Sequence, residues 1–172
     1  MIEATVVITY HNEPRDILDR ALVSVLFQPT EPYEIIVIDD GSDEPLDLYI
    51  PKGSNLRIVR VTNRGLPAAR NTGIMLCKTE AILFLDADDW LAPDYLEKTL
   101  PLLKDADVVL TGLQEHGPTR NGTYMPGYDR PHTEVTWELL LNDYNRFFYC
   151  SLFRTQVLRE VGGYHPAMAG WP

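Results

Sequence analysis

The ten residues Ala81 to Trp90, AILFLDADDW, constrain this chain more than any other stretch. Five apolar residues run directly into Asp86, Ala87, Asp88 and Asp89. An unbroken apolar run closed by acids predicts a strand buried on both faces. The carboxylates then gather where that strand ends, which in an open α/β sheet is the edge where ligands bind. Packed carboxylates raise one another's pKa and call for a compensating cation, and hard oxygen ligands favour Mg²⁺ or Mn²⁺. The simplest site is a divalent ion that receives an anionic ligand such as a diphosphate. The competing reading is a solvated acidic turn, or an aspartate capping the helix that follows.

The rest of the chain alternates in a way that gives this strand neighbours. Strands are predicted over Glu3 to Tyr10, Tyr33 to Ile38, Leu56 to Val61 and Ala106 to Leu110. Between them lie helices from Arg15 to Pro29, from Pro67 to about Lys78, and from Pro93, the last shortened by Pro101. The helix from Arg15 carries Ile17, Leu18, Ala21, Leu22, Val25 and Leu26 on one face. Such alternation predicts an α/β fold with a mostly parallel sheet. No GxGxxG follows the first strand, which argues against a dinucleotide fold. Beyond Leu110 the pattern changes. Residues Gln114 to Pro131 are rich in Gly, Pro and polar groups, Thr133 to Leu141 reads as helix, and Arg146 to Phe153 as extended in part. Thr155 to Val161 is predicted as a short helix closed by Gly162 and Gly163.

Length and charge narrow the function. A chain of 172 residues suits one domain with a sizeable core. Its formal net charge of −10 argues against nucleic acid and anionic lipid as partners. The start, MIEATVVITY, reads as a strand and not as a signal peptide. Cys77 and Cys150 lack metal-type spacing, and a reduced, cytoplasmic setting suits them. An acidic protein that binds a phosphorylated ligand needs local positive charge. A metal could supply it, as could Arg64 and Arg70 at the start of the helix opened by Pro67. Two strands end in acids, Asp39-Asp40 and Asp86 to Asp89, and parallel neighbours would open both clusters on one edge. A receiver domain also collects acids in this way, but it needs a late lysine that ADVVLTG does not provide.

Taken together these residues resemble a known family. VVITYHNE at 6–13, EIIVIDDGS at 34–42, NRGLPAARNTGI at 63–74, FLDADD at 84–89 and LFRTQVLREVGGY at 152–164 are similar to the motifs of family 2 glycosyltransferases of the GT-A fold. The resemblance implies one GT-A (Rossmann-like) domain over residues 1–172. Its donor half would span 1–112 and a partial acceptor half 113–172. It implies sugar transfer from a nucleotide-diphosphate sugar, most simply a UDP-sugar, to an acceptor hydroxyl with inversion. The acceptor would be a saccharide, a lipid-linked group or a protein. Thr9, His11 and Glu13 would lie beside the nucleotide. Asp39 would hydrogen-bond the base, Asp40 would support its turn, and Arg70 would approach the nucleotide or its phosphates. Asp86 would face the ribose and the metal, Asp88 would bind Mn²⁺ or Mg²⁺, and Asp89 could share that role.

The chain also departs from the family. The general base belongs shortly after the GGY segment, and here GGYHPAMAGWP ends the sequence, so the base is expected after Pro172. That implies a domain truncated on its acceptor side, with self-association through the uncovered edge. A longer form would be cytoplasmic or peripheral to the inner membrane. The alternative function is a nucleotide-sugar-binding fragment without catalysis. Leftover acids (Glu134, Glu138, Asp143) have no motif support as a base. A nucleotidyltransferase would need a Gly-rich basic loop where YHNEPRD stands. His165 replaces the family's frequent Asp. Trp137, Tyr144, Phe147, Phe148 and Tyr149 read as core or as an acceptor platform. Trp90 reads as a donor wall or as packing beneath it.

Overall fold

The computed structural model describes residues 2–112, 114–115, 123–124, 150–165 and 167. In chain order these form β1 (Ala4–Tyr10), α1 (Arg15–Leu26), β2 (Glu34–Asp39), β3 (Leu56–Arg60), α2 (Leu66–Leu76), β4 (Ala81–Asp86) and α3 (Tyr95–Thr99). A 3₁₀ turn at Leu100–Lys104 follows. Then come β5 (Val108–Val109), β6 (Gln114–Glu115), β7 (Thr123–Tyr124), β8 (Leu152–Arg154) and α4 (Thr155–Glu160). Among the described residues, six strands form one sheet in the order β3-β2-β1-β4-β8-β5, and β6 pairs with β7 separately. The first four of that order are parallel; β8 runs antiparallel to both β4 and β5.

Strand periodicity divides the core into two layers. Val6 and Ile8 of β1, with Val37 and Leu85, pack on Leu18, Leu22 and Val25 of α1 and on Leu96 of α3. Val7, with Ile36, Ile38 and Phe84, faces Ala69 and Ile74 of α2 and Leu158 of α4. The result is a sheet covered by helices on both sides, which explains why β1, β2 and β4 read as continuous apolar runs. α2 sits close to the sheet because Gly73 has no side chain: a Cβ there would lie 2.6 Å from Val7 Cγ1.

Several expectations are corrected. Leu26, assigned to the buried face of α1, is 46% exposed, because the helix stops there and Phe27 turns out to solvent. Pro101 shortens the helix as expected: α3 keeps five residues and continues as a 3₁₀ turn. The strand expected over Ala106 to Leu110 is only Val108–Val109, and it does not pair with β4. β8 inserts between them, fixed by Arg154, whose guanidinium donates to the carbonyls of Leu103, Lys104 and Ala106. Such a late strand insertion leaves no local pattern in sequence. α4 ends as expected, with Gly163 N–H donating to Leu158 O at 2.8 Å and Gly162 N–H to Arg159 O at 3.2 Å. The 6→1 and 5→2 pairing with positive φ at both glycines is a Schellman cap.

The helix expected over Thr133 to Leu141 lies outside the described residues, as do Glu134, Glu138, Asp143, Trp171 and Pro172. So do Trp137, Tyr144, Phe147, Phe148 and Tyr149. Cys77 and Cys150 are both free thiols. Among the described residues, no helix is long and apolar enough to cross a membrane.

Candidate functional site

The register of β1 brings the two acidic strand ends together. Tyr10 is aligned with Asp39 of β2, and Thr9 with Asp86 of β4. The clusters thus open on one edge, although β1 lies between their strands. A cavity of about 250 Å³ opens there. Thr9, His11 and Glu13 from the end of β1, Asp40 after β2, and Asp86 and Asp88 after β4 line it, with Leu66 and Ala69 of α2 as its apolar wall.

Asp86 is fixed from two sides. Arg70 Nη2 donates to both of its carboxylate oxygens, at 2.9 and 3.0 Å, and Thr9 Oγ1 donates to Oδ1 at 2.8 Å. Arg70 is itself buried, and its guanidinium lies 5.4 Å from the centroid of the Tyr164 ring. Arg70 therefore reaches the edge of the cavity through Asp86. Arg64, expected to accompany it, is exposed; its backbone N–H donates to Asp40 Oδ1 at 3.2 Å.

The two acids after β2 divide differently from expectation. Asp39 is fully buried and does not line the cavity. Its Oδ1 accepts from Ser42 N–H at 2.9 Å, and its Oδ2 from Leu46 N–H at 3.4 Å and from Arg60 Nη1 at 3.1 Å. Burial pushes its pKa up, but the Ser42 and Leu46 hydrogen bonds and the Arg60 charge outweigh this and hold it below the ordinary carboxylate value. Asp40 faces the cavity, its carboxylate accepting the N–H groups of Arg64 and of Gly65, the latter at 2.9 Å. Those two donors belong to the loop that opens α2, so the helix entrance is tied to β2.

The acids after β4 also separate. Asp88 is exposed and lines the cavity. Asp89 turns away and accepts from the Cys150 thiol at 3.9 Å. Burial, then the charges of Asp88 and Asp86, push Asp89 up to about 6. Burial and the Asp89 charge likewise raise the Cys150 thiol. The turn is held from α1 by Arg20, whose guanidinium carbon lies 4.0 Å from the Trp90 ring centroid and whose Nη2 donates to Asp88 O at 3.4 Å. Among the described residues, no three His, Cys, Asp or Glu side chains converge as a metal cage.

His11 is exposed, with its N–H donating to Glu13 Oε2 at 2.6 Å and its Nε2 beside the Asn12 and Asn63 amides. His165 is exposed and points its Nδ1 at the N–H of Ala167. Sequence reasoning passed over three supporting groups. Arg60 was signalled by RIVR, whose last residue pairs with Asp39 in the ladder. Tyr164 carries no signal beyond its place in the GGY segment. Cys150 left no local signal.

A mostly parallel sheet with one antiparallel strand, β8, set between β4 and β5, and helices on both faces, has the architecture of the GT-A glycosyltransferase fold. The model of the family "Glycosyl transferase family 2" matches residues 5–162, and the chain belongs to that family. EpsH of Bacillus subtilis (strain 168), provisionally named a glycosyltransferase, is 30% identical over 147 residues, covering 80% of this chain and 43% of EpsH. The succinoglycan biosynthesis protein ExoW of Rhizobium meliloti (strain 1021) is 38% identical over 103 residues, covering 56% of this chain and 32% of ExoW. The chain thus spans less than half the length of these relatives. The crystal structure of S. aureus TarS 1-349 superposes with a TM-score of 0.75 at 20% identity, covering 99% of this chain and 52% of TarS. TarS 1-349 has also been solved with UDP and with UDP-GlcNAc. At that identity the likeness establishes the fold.

Proposed function

We propose that the chain carries the donor site of a glycosyltransferase that uses a nucleotide-diphosphate sugar, most simply a UDP-sugar, and transfers the sugar to an acceptor hydroxyl with inversion. The observation that carries this reading is convergence. Thr9, His11, Glu13, Asp40, Asp86 and Asp88 come from three separate strand ends and line one cavity. Family membership and the complexes of TarS with UDP and UDP-GlcNAc support the same donor class.

The residues suggest a division of labour. Asp40 faces the nucleoside, while Asp39 shapes the loop behind it. Asp86, oriented by Arg70 and Thr9, presents a fixed acceptor to the ribose side of the donor. Asp88, exposed at the rim, suits a divalent cation that takes one protein carboxylate and completes its shell with phosphate oxygens and water. Such an ion, Mn²⁺ or Mg²⁺, would neutralise charge on the departing diphosphate. The donor set fits that arrangement better than an all-protein cage, since Asp86 is occupied by Arg70 and Asp89 by Cys150.

The test is thermal unfolding with UDP, with and without Mn²⁺, on wild type and Asp88→Asn. Ligand at about 100 times its Kd stabilises by roughly 2.7 kcal/mol, a rise of roughly 5–10 °C for a chain of this size. The rise should need both components and vanish in the variant. No rise with UDP, GDP or dTDP overturns the reading.

A further inference from the structure

We propose that Asn71 and Tyr164 are positioning residues for the donor site, a clamp through which the segment after α4 fixes the carboxylate of Asp86. The inference rests on the donor reading above and extends it to residues that never touch the cavity.

The clamp is built from α2 outward. Asn71 spends its whole side-chain amide on the backbone of one distant residue. Its Oδ1 accepts from Tyr164 N–H at 2.7 Å, and its Nδ2 donates to Tyr164 O at 2.8 Å. Only an amide can do both, because it carries a donor and an acceptor side by side. Gly163 makes the approach feasible: it has φ +74, and a Cβ there would lie 2.5 Å from Asn71 Oδ1. The cap of α4 therefore delivers residue 164 to Asn71 with room for nothing larger.

The Tyr164 ring is fixed in turn. It meets Phe84 of β4 edge-on, with centroids 5.5 Å apart. On its other side the Arg70 guanidinium carbon lies 5.4 Å from the ring centroid. Arg70 then grips both oxygens of Asp86. A continuous path of contacts runs from Asn71 through Tyr164 and Arg70 to Asp86. Three chemically different contacts in series hold one carboxylate at the cavity. Packing alone would be met by any apolar residue at 164, and would need neither the two-way amide nor an aromatic ring beside Arg70.

A double-variant cycle on the full chain separates positioning from structural support. The probe is UDP with Mn²⁺, read by titration calorimetry, beside thermal midpoints. Asn71→Ala should weaken UDP binding about tenfold and lower the midpoint. In a Tyr164→Leu background, which keeps an apolar filler against Phe84, there is no phenol left to position. There Asn71→Ala should still lower the midpoint, because the backbone hydrogen bonds are still lost, but the UDP affinity should change by less than about twofold. A midpoint loss with unchanged affinity in the single variant overturns the clamp while leaving the donor site standing. An equal loss of affinity in both backgrounds does the same. Absence of UDP binding to the wild type overturns the donor reading, and the clamp with it.

Discussion

Replacing Gly73 by alanine should destabilise the protein, although alanine is the better helix former. The new Cβ would meet Val7 Cγ1 at 2.6 Å and Cγ2 at 2.9 Å, against an ordinary carbon contact of roughly 3.5–4.0 Å. Val7 is fully buried on the central strand and its branched side chain has little rotamer freedom. α2 must therefore lift, or β1 must give way. Overpacking of this kind costs about 1–3 kcal/mol, and the gain in helix propensity returns about 1. A contact as short as 2.6 Å puts the cost in the upper part of that range, about 2–3 kcal/mol, and the net loss of roughly 1–2 kcal/mol corresponds to a fall of roughly 2–8 °C in the thermal midpoint. Because Ala69 and Arg70 lie one turn from Gly73 on the same helix, UDP binding should weaken in parallel. Thermal and urea unfolding of Gly73→Ala, Val7→Ala and the double variant form the assay. With Val7 trimmed the two shortest contacts disappear and only Val7 Cβ remains, at 3.3 Å, so Gly73→Ala should then cost much less than in the wild-type background. An unchanged or raised midpoint in the wild-type background, or the same loss in both backgrounds, refutes the close-packing argument.

Two further outcomes follow from the same structure. Gly162 and Gly163 both have positive φ, but a Cβ on Gly162 meets nothing within 4 Å, whereas one on Gly163 meets Asn71. Gly162→Ala should cost about 1 kcal/mol, from backbone strain alone, and Gly163→Ala distinctly more, as read by urea midpoints; equal costs would count against the contact. Asp39 is held below its ordinary pKa, so the fold favours its carboxylate. Its stabilisation is complete above the unfolded value of about 3.9 and is lost as pH falls through the lower folded value. Asp39→Asn should be less stable at neutral pH and show a flatter acid limb; parallel limbs for the variant and wild type would refute the assignment.

What was legible in the sequence was whatever is local. Three apolar runs mark β1, β2 and β4 because burial on both faces leaves an unbroken signal, and Pro101, Gly162 and Gly163 mark helix boundaries by backbone chemistry. The register of those strands was not legible, nor was the place of β8 between β4 and β5, since both depend on pairing between segments far apart in the chain. The site shows the same limit. Asp39 and Asp40 are adjacent acids, and the family resemblance assigns the base contact to Asp39. The structure buries Asp39 against Arg60 and turns Asp40 to the cavity. Strand pleat decides that choice, and a one-residue difference reverses the face. Arg70 stands out in the sequence by its place among small helical residues. Its partner, however, is Asp86, because the side chain is buried and a buried guanidinium needs a carboxylate close by.

These placements resolve how a chain of net charge −10 can offer a site to a diphosphate. Five aspartates stand at the two strand ends, and four of them are turned to internal use. Asp39 answers Arg60, Asp40 answers two backbone N–H groups, Asp86 answers Arg70 and Thr9, and Asp89 accepts from the Cys150 thiol. Asp88 alone of the five is exposed. A site that gives a cation one carboxylate binds it weakly by itself, since hard divalent ions need several oxygens. A diphosphate, in turn, is repelled by the same edge unless the cation arrives with it. Cation and nucleotide should therefore bind interdependently: Mn²⁺ alone and UDP alone should each shift the thermal midpoint little, and the two together should shift it by more than the sum.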